Sequence, residues 1–249
     1  MRRVLAIGLL LLGLAGCGGS SAGPAGLDAA RARTTAAGSA RFRIVIDAEV
    51  GGVGVRSDEN GTVSFARPRA HIYKLVQGLR LPEELVVIGP VTYANANVEA
   101  AMTDSSVKPW TRLDRRGLTP KQRTSRPDEL AHIRAGVYLT DGVSRLKRIA
   151  MTTLGEVETT HFRGMVNPAR LSARVPAAVA IAIRNDYPGG PFRADFWVDR
   201  QGRVRRVLVE YRTPRGGRIS VDAAYSGFGT RVDLTVPPPR DVQDVTPAS

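Results

Sequence analysis

Residues 42–50 set the terms for the whole chain. Phe42, Ile44, Ile46, Ala48 and Val50 alternate with Arg43, Val45, Asp47 and Glu49. A two-residue period puts one set of side chains on each side of an extended segment, so this stretch reads as a half-buried strand. Similar segments recur along the chain. Gly51-Gly52 turns it back, and Val53–Arg56 and Thr62–Ala66 flank Asn60-Gly61, a dipeptide suited to a tight hairpin turn. Arg69–Gln77 is a further strand, and Glu84–Asn95 is another, interrupted at Gly89-Pro90 where a bend, a bulge or two short strands are expected. Lys108–Leu113, Arg145–Thr153, Glu156–Val166, Phe192–Val198, Val204–Thr213 and Ile219–Tyr225 follow, with Arg231–Val236 as a short last strand. Helical segments are fewer: Leu27–Ala37, a stretch capped by Ser125 and running to about Ala135, and a segment opened by Asn167-Pro168 that carries Leu171, Val175, Val179 and Ile183 on one face. Pro176 should kink or restart that last helix. About ten strands joined mostly by hairpins imply an antiparallel sheet. A sheet of that size must cover its inner face, and about three helices are available to do so. The expected fold class is α+β: a large curved antiparallel sheet with helices on its concave face.

The N-terminus has a different composition. Met1-Arg2-Arg3 is followed by an uncharged apolar run from Val4 to Ala15, and then by Gly16 and Cys17, the one cysteine in the sequence. The run is well short of the ~20 residues that cross a bilayer as a helix. Leu14-Ala15-Gly16-Cys17 resembles the lipobox that closes a bacterial lipoprotein signal peptide. The resemblance implies that residues 1–16 are removed and that Cys17 is thioether-linked to diacylglycerol. Its acyl chains, palmitate among them, would then hold the protein on the extracytoplasmic face of the cell membrane. One lipid chain binds only marginally, whereas two or three anchor stably. Residues 18–26, rich in Gly and Ser, then read as a flexible tether behind the lipidated Cys17, residues 27–236 as the folded domain and residues 237–249 as a disordered tail. With a single thiol no disulfide forms within the chain, so the domain relies on packing alone.

The formal net charge is +13, and arginine supplies 32 of the 36 basic residues. A basic surface attracts anionic membranes, acidic glycolipids or nucleic acid, and an exported location removes the last. Most arginines are scattered, as a GC-rich genome would scatter them. Arg112-Leu-Asp-Arg-Arg116 and Arg203-Val-Arg-Arg206 stand out as clusters.

Reactive constellations are sparse. His71, His132 and His161 form no i, i+4 pair and have no cysteine ligands nearby, so no metal site is expected. His161 shares a strand with Glu156 and Glu158, where it reads as a base, a pH-sensitive latch or a half-buried strand residue. No Gly-x-Ser-x-Gly motif is present, and no glycine-rich phosphate loop leads from a strand into a helix. Trp110 and Trp197 read as core anchors or as aromatic surfaces at a ligand mouth. No catalytic residue and no cofactor is expected, and the chain reads as a non-enzyme.

Two stretches carry a family resemblance. One is Gly155, Thr160, Phe162 and Gly164 leading out of a strand. The other is Phe196-Trp197-Val198-Asp199 followed by Gly202, Val204 and Arg206. With the lipobox and the order of elements, they resemble the LppX/LprG-type lipoproteins of actinobacteria, related in fold to the LolA/LolB lipoprotein carriers. The resemblance implies a half-open β-barrel, with helices over its mouth and a hydrophobic cavity between. It implies a membrane-anchored monomer that binds and transfers a lipid or glycolipid, with an envelope transporter as a candidate partner and no nucleic acid. The alternative is a non-catalytic sensor or regulatory module that contacts an envelope protein. Phe42, Ile44, Ile46, Phe65, Ile72, Val87, Val91, Met151, Val179, Ile183 and Phe196 are the candidate cavity-lining residues. Small side chains at 177–182 would leave room for a ligand. A filled core and a dry cavity use the same residue types, and an apolar space above ~1,000 Å³, beyond the usual range for small-molecule sites, would favour an acyl chain.

Overall fold

A computed structural model describes residues 24–247, apart from 51, 79–80, 127, 172–174, 188–189 and 214–215. The lipobox, Cys17 and most of the expected tether lie outside the described residues. The first helix, α1 (Pro24–Ala36), starts earlier than Leu27, because proline suits a first helical turn. The alternating segment forms β1 (Ser39–Val50), and β2 (Val53–Ser64) returns beside it after Gly52, which has φ 80°. β3 (Arg69–Val76), β4 (Glu83–Ile88) and β5 (Val91–Ala94) continue the meander, with Gly89-Pro90 separating two short strands as expected. After a short helix α2 (Val98–Thr103) come β6 (Trp110–Asp114), α3 (Pro120–Ser125) and α4 (Glu129–Tyr138). The second half holds β7 (Val143–Leu154), β8 (Val157–Val166), α5 (Ala177–Asp186), β9 (Phe192–Asp199), β10 (Val204–Arg212) and β11 (Arg218–Ser226). β12 (Val242–Asp244) closes the order.

All twelve strands join one sheet, in the order β12-β6-β5-β4-β3-β2-β1-β11-β10-β9-β8-β7. Its neighbours are antiparallel except for β12, which runs parallel to β6. The two ends of the sheet, β12 and β7, do not pair with each other, so the curve stays open. α1, α4 and α5 lie over its concave face, where Phe42, Ile44, Val63, Ile72, Phe162, Phe196, Val207 and Ala223 pack with Leu27, Ile133, Val137, Val179 and Ile183. Each such side chain contributes roughly 1.5–3 kcal/mol by leaving water. Polar ties fix the helices. Thr34 Oγ1 accepts from the Val204 backbone N–H at 2.8 Å, and Tyr225 Oη donates to Ile133 O at 2.7 Å. Gly136 allows that second approach, since a Cβ there would lie 2.7 Å from Tyr225 Oη. No helix among the described residues is long and apolar enough to cross a membrane.

Five expectations are corrected. Asn60-Gly61 is not a turn, because β2 runs straight through it. Gly61 is needed there because a Cβ would lie 1.9 Å from His71 O on β3. Residues 231–236 form no strand, and the tail read as disordered is ordered through residue 247. It is held by tertiary contacts: Lys108 Nζ donates to Val242 O at 3.1 Å, Arg112 Nη1 to Asp244 Oδ2 at 2.6 Å, and the Asp114 N–H to Thr246 Oγ1 at 2.8 Å. The helix expected from Ser125 starts instead at Glu129, and Ser125 ends a separate short helix, α3. α3 carries a Thr119–Gln122 capping box, and α4 is capped by Asp128, whose Oδ1 accepts from the Ala131 N–H. Asn167-Pro168 opens only a single 3₁₀ turn, and the chain becomes helical again after Pro176.

Candidate functional site

The turns at Pro68 and Gly89-Pro90 form one lip, and the segment from β6 to α4 forms another. α5 closes the far side. Between them is a cavity of about 770 Å³ that opens to solvent. Val87 of β4 with Leu130 and Ala131 of α4 forms an apolar floor, and Ala178, Val179, Ile181 and Ala182 of α5 form an apolar wall. The volume lies within the ~300–1,000 Å³ of ligand sites, and below the threshold that would mark out an acyl-chain binder by size alone.

The lining is also basic. Arg115, Arg116, Arg123, Arg126 and Arg134 reach the cavity, against Asp128 and Glu129. Arg116 is committed to Asp114, with Nη2 at 2.6 Å from Oδ2 and Nε at 3.0 Å from Oδ1, and its guanidinium holds that carboxyl far below the usual range. Arg115 Nε lies 3.7 Å from Asp128 Oδ2. Arg134 is spent on the protein itself: its Nη2 donates to Ser64 O and, at 2.7 Å, to Arg67 O, which ties α4 to the end of β2. Burial pushes its pKa down, and its buried Nε has no hydrogen-bond partner.

Beneath α4 a charged row interrupts the core. Glu59, Lys74 and Glu83 stand opposite one another across β2 to β4, with Ile44 of β1 beside Glu59. Glu59 is only 2% exposed, and Lys74 Nζ lies 3.5 Å from its Oε1. Burial pulls the Lys74 pKa down, but Glu129, Glu59 and Glu83 together hold it above its usual value. Burial pushes the Glu129 carboxyl up.

Of the candidate lining residues, Val87 and Val179 face the cavity. Phe42, Ile44, Phe65, Ile72, Ile183 and Phe196 are buried in the continuous core, with Ile46 packed against it, and Val91 is half-buried at the start of β5. Met151 does not line the interior. It is 47% exposed on β7, the strand at one end of the sheet. The arginine wall was signalled in the sequence only by the Arg112–Arg116 cluster. Arg123, Arg126 and Arg134 are spaced too irregularly to be grouped without the fold.

The other sequence clusters have structural partners. Arg203 and Arg205 both reach Asp199, at 2.9 and 2.7 Å, and Arg206 forms a bidentate pair with Asp222. His161 Nε2 is 2.5 Å from Asp195 Oδ1, and its ring stacks on Trp197 at 4.4 Å between centroids. Among the described residues no group of three or more His, Cys, Asp or Glu side chains could hold a metal ion.

No protein-family model matches the sequence, and no curated protein does. Solved structures do match in shape. LprF from Mycobacterium bovis superposes with a TM-score of 0.51 at 12% identity, covering 86% of this chain and 96% of that one. The lipoprotein LppX of Mycobacterium tuberculosis gives 0.50 at 15% identity, covering 84% and 99%. The chain therefore shares the fold of these lipoproteins over nearly their whole length, as the motifs at 155–164 and 196–206 led one to expect.

Proposed function

We propose that this chain is a membrane-anchored lipoprotein that binds a lipid or glycolipid and passes it to a neighbouring envelope component. One observation carries the reading: the half-barrel is not filled at its arginine-lined end, where α5 presents small apolar side chains to an open cavity of about 770 Å³. A cavity with one apolar and one charged wall suits an amphiphile better than a wholly apolar or wholly polar solute. The shared fold with LprF and LppX supports the same reading. The protein acts by reversible binding and not by turnover. Acyl chains on Cys17 hold it at the extracytoplasmic face of the membrane. Six residues lie between Cys17 and Pro24, and the seven steps, at ~3.3–3.6 Å each, span at most about 25 Å. The domain therefore stays beside its lipid source and hands its cargo to a close partner.

The test is native mass spectrometry of the full chain extracted from membranes in a mild detergent. A lipid adduct is expected, and Ala182→Trp, which fills the cavity from α5, should remove it. A chain that is lipid-free and takes up no added lipid overturns the proposal. Cys17→Ser should move the protein from the membrane to the soluble fraction.

A further inference from the structure

The cavity's basic lining has two members with no carboxylate partner among the described residues. Asp114 engages Arg116, and both oxygens of Asp128 are engaged, Oδ1 by the Ala131 N–H and Oδ2 by Arg115. Arg123 gives its Nε–H to Leu118 O at 3.0 Å, which fixes the stem and leaves the Nη groups unspent among the described residues. The Arg126 guanidinium has no hydrogen bond or ion pair among the described residues, although its backbone carbonyl accepts from Arg115. Both side chains are exposed, and both line the cavity. Arg123 lies in the last turn of α3 and Arg126 is its C-cap residue, in extended backbone, and both reach the same cavity. The same cavity is lined by Ala178, Val179, Ile181 and Ala182 of α5.

We propose that Arg123 and Arg126 form a subsite for the anionic phosphate headgroup of a membrane phospholipid whose acyl portion lies along α5. The inference rests on the lipid-binding reading above and adds the class of lipid. Guanidinium groups suit this ligand. Each presents paired N–H donors in a plane that matches two phosphate oxygens, and each keeps its charge in a partly apolar setting. A neutral headgroup would leave both cations without a partner once the cavity is occupied. Arg134 is excluded from the subsite because its Nη2 is already committed to two backbone carbonyls.

The experiment offers the delipidated full chain nonionic micelles doped with phosphatidylglycerol or with the corresponding neutral diacylglycerol, and measures each bound lipid by native mass spectrometry. Phosphatidylglycerol should be preferred by about tenfold or more, since one good charge-assisted contact is worth about that factor. Arg123→Gln/Arg126→Gln should remove the preference while diacylglycerol is still taken up. Arg126→Gln, which breaks no contact among the described residues, should lower it by several-fold. Melting temperatures of the variants serve as the check on folding. Equal uptake of the two lipids by the unmodified chain overturns this inference and leaves the lipid-binding reading standing, as does a preference that survives in the folded double variant. Uptake of neither lipid overturns both. Binding of inorganic phosphate with no lipid preference overturns the assignment to a headgroup.

Discussion

Arg134 is the tie that holds α4 down at the cavity mouth, and replacing it tests whether the helix is closed by so few bonds. In Arg134→Leu the helix loses two hydrogen bonds from a charged donor, to Ser64 O and Arg67 O. Such bonds contribute about 1.5–3 kcal/mol each in mutational series. Two effects oppose that loss. The guanidinium is partly desolvated, with its Nε buried and unpaired, so removing it relieves a cost. Arg67 is exposed and Ser64 half-exposed, so water can replace the lost donor at their carbonyls. A net loss of about 1–3 kcal/mol remains, and for a domain of this size each kcal/mol moves the melting temperature by roughly 2–4 °C. A drop of about 2–12 °C is expected by circular dichroism, together with faster amide exchange in α4 and faster uptake of a fluorescent lipid. An unchanged or raised melting temperature with unchanged exchange in α4 would refute the claim that these two bonds hold the helix.

Three further substitutions probe the frame around the cavity. Glu129 has its pKa raised by burial, so the folded chain binds that proton more tightly than the unfolded one does. Stability from this group is full below its usual value of 4.5 and is lost as pH rises through the raised folded value. Glu129→Gln should therefore raise the melting temperature at neutral pH and change it little in acid. Gly61→Ala would place a Cβ 1.9 Å from His71 O, so β2 and β3 must part, and a loss of at least ~1–3 kcal/mol is expected from the denaturation midpoint. A near-neutral result would restore the hairpin reading of Asn60-Gly61. Tyr225→Phe deletes the buried bond to Ile133 O and should cost about 1–2 kcal/mol by chemical denaturation, with the fold retained.

The sheet was readable because period-2 alternation is local. Nearly every strand from Phe42 to Tyr225 falls within a few residues of its expected place, and Pro176 restarts a helix as a proline should. The misreadings share a cause, which is that tertiary contacts decided them. Asn60-Gly61 has the composition of a turn, but the pairing of Gly61 with both Phe42 and Ile72 puts it inside the sheet. Val242–Asp244 has no strand signature and becomes one through Lys108 and Arg112. The candidate site was legible only in part. Val87 and Val179 lie at the cavity, while Phe42 and Phe196 lie in the filled core, and all four carry the same hydrophobic signal, because core and cavity walls use the same residue types. The basic wall depends on which arginines already have carboxylates. Arg203, Arg205 and Arg206 are paired, whereas Arg123 and Arg126 have no carboxylate partner among the described residues, and sequence spacing does not separate these cases.

The central claim is that the space between α5, α4 and the sheet receives the apolar part of a lipid. The direct measurement is photocrosslinking of the full chain to a lipid with a photoreactive acyl chain, followed by peptide mapping. Crosslinks should fall on Ala178–Ala182 of α5, on Leu130 and Ala131 of α4 and on Val87, and Ala182→Trp should suppress them. Crosslinks confined to the exposed apolar residues of β7, Ile149 and Met151, or an absence of crosslinks, would contradict it.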